Sequence, residues 1–256
     1  MAFYDLSKSE RADRVQAIRN DIRHSLLVRM PERVRFYFAD ADTYIRKSAY
    51  LVTGRLYEED EALRLPVLAM LRHFFRDADF KVRQTVINAA GEIGKRHFDE
   101  VRSFFDEGLK DSHHSPRNAV IGSVKKMGEV NPAPVLAWAK EYLHHSDKEI
   151  RREICHGIEL RGRKYPQDIL PLLRELQHDP TGRVRNTLVH VIGQIAYKKG
   201  CLDTVLAHLK GWENRKLVDA ALEEIIDVHH RYRSFAVLTQ AEAVRIIDEH
   251  FPDRKR

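Results

Sequence analysis

The sequence predicts an all-α chain, a right-handed α-α superhelix of about six antiparallel helix pairs with a helical cap at each end. Three observations predict it. Five segments align without gaps and place an arginine at one register: Arg46, Arg83, Arg117, Arg151 and Arg185, at intervals of 37, 34, 34 and 34 residues. Apolar residues recur at spacings of three and four, the period of a helix with one buried face. No segment alternates apolar and polar residues over a useful length, so no sheet is expected.

Residues 1–30 are expected to form the N-terminal cap, 31–228 the repeats, and 229–256 a C-terminal cap with a frayed tail at Arg254, Lys255 and Arg256. The whole of 1–256 is read as one solenoid. The five aligned segments are DTYIRKSAYLVTGRLY, DFKVRQTVINAAGEIG, HSPRNAVIGSVKKMG, DKEIRREICHGIELRG and TGRVRNTLVHVIGQIA. Each is the second helix of a pair. A further step of 34 residues reaches Asp219 in LVDAALEEIID, a sixth second helix without the arginine. The first helices of successive pairs are EALRLPVLAMLRHFF, FDEVRSFFDEGLK, APVLAWAKEYLHH, QDILPLLRELQHD and LDTVLAHLKGW. Pro132, Pro166 and Asp203 stand at their starts, where a missing N–H or a negative charge costs nothing. One such pair cannot bury its apolar face alone, so pairs must stack into a continuous core.

The recurring pattern of an aspartate, an Ile-Arg or Val-Arg step, an alanine and a terminal glycine on the second helix resembles the HEAT repeat family over residues 35 to 228. The landmarks of the tetratricopeptide repeat, which shares the 34-residue period, do not recur. The resemblance implies that the second helices line a concave, ligand-binding side. It also implies that each repeat arginine, with Asp42, Asp79, Asp111 or Asp147 shortly before it, forms a ladder tying neighbouring repeats together. Contact with a ligand is the alternative role for these arginines.

Counting from each arginine sorts the second helices into faces. Positions +3, +4 and +7 are the expected core: Val86, Ile87 and Ala90; Val120, Ile121 and Val124; Ile154, Cys155 and Ile158; Leu188, Val189 and Ile192. Positions +1, +5, +8 and +12 form a polar stripe: Gln84, Asn88, Gly91 and Lys95; Asn118, Gly122, Lys125 and Glu129; Arg152, His156, Glu159 and Arg163; Asn186, His190, Gly193 and Tyr197. Glycine inside a helix costs about 1 kcal/mol against alanine. Here it serves the close approach of either a neighbouring helix or a ligand. The fourth repeat breaks the rule at +10, where Leu56, Ile93, Met127 and Ile195 give way to Arg161. A break of a local rule is where function is expected. Lys125, Arg152, Arg161, Arg163 and Arg185, with Asn118 and Asn186, are therefore the candidate nucleic-acid-binding residues.

Residues 150 to 212 add a narrower resemblance. The paired Arg151 and Arg152, the basic turn from Arg161 to Pro166, and the runs ILPLLRELQHDP, VRNTLVHVIGQI and LKGW are similar to the bacterial DNA alkylation-repair proteins built from HEAT-like repeats, the AlkC/AlkD group of alkylpurine glycosylases. That similarity covers about a quarter of the chain. It implies duplex DNA in a basic groove, with aromatic and acidic side chains stabilising a cationic alkylated base. The chain departs from that pattern: His156 stands where a carboxylate is expected, and Glu159 follows about one turn later. These two are the catalytic candidates, and Trp138 and Trp212 are the only tryptophans.

Composition bounds the rest. The 256 residues carry 44 Lys and Arg, 38 Asp and Glu and a formal charge of +6, which suits an acidic partner without requiring one. Two cysteines, Cys155 and Cys201, form no pair motif. The 14 histidines are scattered or adjacent, and are read as surface residues. No metal motif, nucleotide-binding glycine loop or Ser-His-Asp set occurs, so no metal and no small-molecule cofactor is implied. The N-terminus has no signal-peptide pattern and no run is long enough to span a bilayer, so a cytoplasmic, membrane-free chain is expected. Two partners remain open, duplex DNA and a protein.

Overall fold

A computed structural model describes residues 3–255, with the Lys255 side chain left out. Arg256 and the first two residues lie outside the described residues. Fifteen α-helices are described and no strand: α1 Lys8–Leu27, α2 Glu32–Ala39, α3 Thr43–Glu59, α4 Glu61–Phe74, α5 Phe80–Gly94, α6 Phe98–Gly108, α7 His114–Val130, α8 Pro132–Tyr142, α9 Lys148–Gly157, α10 Glu159–Gly162, α11 Pro166–Arg174, α12 Gly182–Ala196, α13 Leu202–Lys210, α14 Arg215–Arg231 and α15 Gln240–His250. Short 3-10 turns lie at Phe3–Asp5 and Pro252–Lys255. Among the described residues no helix is long and apolar enough to cross a membrane.

The chain forms two compact units, Met1–Asn131 and Pro132–Arg256. In the first, the second helices α3, α5 and α7 stack side by side, α2, α4 and α6 pack against them, and α1 lies on α2, α3 and α4. Its core includes Ile18, Ile22, Phe38, Tyr57, Phe74 and Phe105, each at most 1% exposed. In the second unit α9, α12 and α14 stack side by side. There α8 packs on α9, α11 on α10 and α13, and α15 on α13 and α14. Trp138, Leu173, Leu188, Trp212 and Leu222 fill that core.

Local chemistry sets the helix starts. Asp42, Asp79 and Asp147 each accept the N–H two residues on, from Tyr44, Lys81 and Glu149, all at 2.8 Å. At the equivalent place in α7, His113 Nδ1 accepts from Ser115 N at 3.1 Å. Capping boxes open α1 at Ser7 and Glu10 and α15 at Thr239 and Glu242.

The structure corrects two expectations. The second helix of the fourth repeat is not continuous: it is interrupted at Ile158, immediately after Gly157, and resumes as the short α10 beginning at Glu159. A glycine inside a helix is a usual site of such a break. Val189 is half-buried, whereas the other eleven expected core positions are buried. The Arg254 guanidinium pairs with Glu223 and is 16% exposed.

Candidate functional site

The repeat arginines form one structural device. Each sends Nη1 back to the carbonyl six residues earlier: Arg46 to Asp40 (2.5 Å), Arg83 to Asp77 (2.8 Å), Arg117 to Asp111 (2.5 Å), Arg151 to His145 (2.7 Å) and Arg185 to Asp179 (2.5 Å). The remaining nitrogens of two of them reach the next repeat. Arg83 grips Asp111 with Nε and Nη2 at 2.7 and 2.9 Å, and Arg151 grips Asp179 at 2.6 and 3.1 Å. Arg35 of α2 does the same to Asp77. The same carboxylates accept a local N–H, from Asp79, His113 and Thr181. The aspartates thus occupy two registers with separate roles. Asp42, Asp79 and Asp147 cap helices, and Asp77, Asp111 and Asp179 take the arginines.

Burial alone would raise the Asp179 carboxyl. The Arg151 hydrogen bonds, the Thr181 N–H and the charges of Arg151 and Arg185 outweigh it and hold the group below its ordinary value. Asp111 follows the same balance, with Arg83 and the His113 N–H opposing burial.

Glycines on the polar stripe serve helix packing. A Cβ on Gly91 would sit 2.4 Å from Ser123 Oγ, and one on Gly193 would sit 2.6 Å from Glu224 Cγ. Gly122 is the exception, with open space around it.

The polar stripe of the second unit carries a connected charge network. Arg152 donates to Glu149 at 2.9 Å and lies 3.6 Å from Glu153. Arg183 reaches Glu149 from α12 at 3.1 Å. Glu159 is 1% exposed; one of its oxygens meets Arg163 and the other lies 3.1 Å from His156 Nε2. Arg163 also donates to Gln194 Oε1 at 2.9 Å. The His156 and His190 rings stand edge to face, 6.0 Å apart at 74°. His190 Nδ1 is 3.6 Å from Glu224 Oε1, and Glu224 pairs with Arg231 at 2.6 Å.

Of the sequence candidates, the structure brings together His156, Glu159 and Arg163, with Arg152 one turn earlier on α9. Arg161 points elsewhere: it pairs with Asp168 of α11 at 2.6 Å and stacks over Tyr165, 3.7 Å from the ring centre. Arg185 takes its ladder place, and Asn186 is exposed on α12. Lys125 and Asn118 lie on α7 of the first unit, half-buried and exposed respectively. Trp138 and Trp212 are 1% and 0% exposed, and the Trp212 indole donates to His208 Nδ1 at 2.8 Å. Neither indole is available to stack on a ligand. Glu149, Gln194 and Glu224 were not singled out from the sequence. The 34-residue step from His156 to His190 continues to Glu224, and that signal finds it.

A scan of family models and a search of curated proteins return no match. Solved structures do match. AlkD2 from Streptococcus mutans aligns with a TM-score of 0.58 and 18% identity over 75% of this chain and 97% of that one. The N-terminal domain of MAST/Orbit gives 0.52 and 16% identity over 75% and 94%. The chain has a HEAT-like repeat fold. A structure of Crescerin, described as using a TOG domain array to regulate microtubules in the primary cilium, aligns at 0.50 and 17% identity over 76% and 88% of the two chains. Identities this low establish architecture alone, and one architecture hosts unrelated functions.

Proposed function

We propose that this scaffold binds a protein segment carrying charges of both signs, on the polar stripe formed by α9, α10, α12 and α14. One observation carries the reading. The cations on that stripe are matched by carboxylates of the same stripe: Arg152 by Glu149 and Glu153, Arg163 by Glu159, Arg183 by Glu149, and Arg231 by Glu224 and Asp227. Duplex binding draws its affinity from cations that replace condensed counterions on phosphates. A guanidinium already held by a carboxylate must give up that pair first, and the carboxylate itself repels the duplex. A protein surface of alternating charge meets both members of each pair, which favours register and specificity. Glu149 and Glu224, 28% and 20% exposed in their side chains, are the anionic contacts of this face. Arg183 and Arg231, at 67% and 42%, are its cationic ones.

The test sets this reading against DNA. Random displayed peptides are selected on the intact chain and counter-selected on Arg183→Glu/Glu224→Lys. The winners should carry both signs and should lose about tenfold in affinity, roughly 1.4 kcal/mol, on the reversed surface. In parallel, fluorescence anisotropy follows a short duplex, undamaged and alkylated, across a salt series. Duplex binding that weakens with a log-log slope of about −0.9 per phosphate, and that falls in Arg152→Ala and Arg163→Ala, would overturn the protein reading in favour of DNA. Base release from the alkylated duplex would add glycosylase activity. Peptides that ignore the charge reversal would also overturn it.

A further inference from the structure

We infer that His156, Glu159 and His190 form a binding site for one borderline divalent cation of the zinc class. The site does not rest on the protein-partner reading. The donor atoms of the three side chains all lie within 4.8 Å of one another. A tetrahedral ion held about 2.0–2.2 Å from nitrogen and oxygen donors spaces them about 3.3 Å apart. His156 Nε2 and Glu159 Oε2 already stand at 3.1 Å. The third donor therefore needs to close by about 1.5 Å at most, within reach of a side-chain rotation of His190, whose side chain is 43% exposed.

The repeat itself aligns these donors. His156, His190 and Glu224 occupy one register at steps of 34 residues, on three helices stacked side by side. In the first unit that register holds Asn88 and Gly122, which are poor ligands for such an ion. Three positions further, where the neighbouring repeats place Gly91, Lys125 and Gly193, the fourth repeat has Glu159. The interruption at Ile158 makes Glu159 the first residue of α10.

The surroundings suit a ligand carboxylate. One Glu159 oxygen is held by Arg163, which in turn donates to Gln194, so the other is oriented towards His156. Ligating carboxylates are commonly fixed by such an outer hydrogen bond. Two imidazoles and one carboxylate suit zinc, and three protein donors leave a coordination position for an exchangeable ligand. Arg163 Nε and Gln194 Nε2 are buried without an acceptor among the described residues.

Zinc is the probe, titrated into metal-free chain against a chromophoric chelator, with cobalt as a spectroscopic replacement. One equivalent should bind. His190→Ala and His156→Ala should each weaken zinc by about 100-fold or more, beyond the loss expected for an outer-sphere partner, and should abolish the visible cobalt band. His144→Ala and His230→Ala, at exposed histidines away from the cluster, should leave both unchanged. Circular dichroism of the metal-free variants checks that each is folded. Absence of zinc binding by the wild-type chain at micromolar concentrations would overturn the site. So would one equivalent bound with unaltered affinity by folded His156→Ala/His190→Ala.

Discussion

Arg151→Met tests whether the arginine ladder holds the second unit together. The guanidinium makes two hydrogen bonds to the Asp179 carboxylate, at 2.6 and 3.1 Å, and two to carbonyls, of His145 at 2.7 Å and Ser146 at 3.0 Å. The side chains of the pair are 10% and 3% exposed. A hydrogen bond to a charged group contributes about 1.5–3 kcal/mol net, so two to Asp179 give about 3–6. Breaking a buried pair by removing one member costs about 3–5 kcal/mol, because the other charge is left buried. Both routes put the loss at about 3–5 kcal/mol. Arg185 makes one ladder bond, to Asp179 O, and Glu213, the residue 28 positions on, is taken by Arg174 and His178. Arg185→Met should therefore cost only about 1 kcal/mol. Urea unfolding followed by tryptophan emission is the assay. Both tryptophans are buried in the second unit, so their emission reports on that unit, while far-ultraviolet circular dichroism reports on the whole chain. Repeat arrays need not unfold in one step, so the two signals are fitted separately. Arg151→Met/Asp179→Asn should be less destabilised than the two single losses combined, by at least about 1 kcal/mol. A loss under about 1 kcal/mol in Arg151→Met, or strict additivity in the cycle, would refute the reasoning.

Acid should weaken the fold through the same carboxylates. Asp77, Asp111 and Asp179 are held below their ordinary value of 3.8, so their contribution is present above that pH and is lost as pH falls through the lower folded values; urea midpoints between pH 6 and 2 measure it, and Arg151→Met should flatten the curve. Burial, with the charge of Arg174, lowers the His208 pKa from its ordinary 6.5, so the Trp212–His208 bond should stabilise the fold above that value and weaken as pH falls below it. Trp212→Phe should reduce that dependence in a melt followed by circular dichroism between pH 7 and 5. Gly91→Ala should destabilise by about 1–3 kcal/mol through overpacking, because its Cβ would also lie 2.6 Å from Ser123 Cβ, an atom that cannot swing away; an unchanged melting temperature would show that the two helices separate freely. Zinc at 100 times its dissociation constant should stabilise the wild-type second unit by about 2.7 kcal/mol, and should do nothing for His156→Ala/His190→Ala.

The sequence by itself determined the helices and their pairing along the chain, apart from the break at Ile158, and the buried face of each second helix, apart from Val189. Side-chain direction within one helix follows from its own geometry, so Val86, Ile87, Ala90, Leu188 and Ile192 could be placed in the core from spacing alone. The sequence assigned Asp42, Asp79 and Asp147 to the arginine ladder, whereas each accepts the N–H two residues on and caps its own helix. What passes between helices was decided only in the tertiary structure. Two aspartates four and six residues before an arginine look alike in sequence. Only the offset of the next repeat shows that Asp179 receives Arg151 while Asp147 caps α9. Arg152 and Arg163 read as free cations until Glu149 and Glu159 were found against them, and Gly91 and Gly193 read equally as ligand contacts until Ser123 and Glu224 filled the space beside them. The 34-residue period aligned His156 with His190, but it could not say that their rings meet beside a buried glutamate. That depends on the spacing and rotation of α9 against α12 and on the break at Ile158, which the packing of neighbouring helices sets and a one-helix period does not encode.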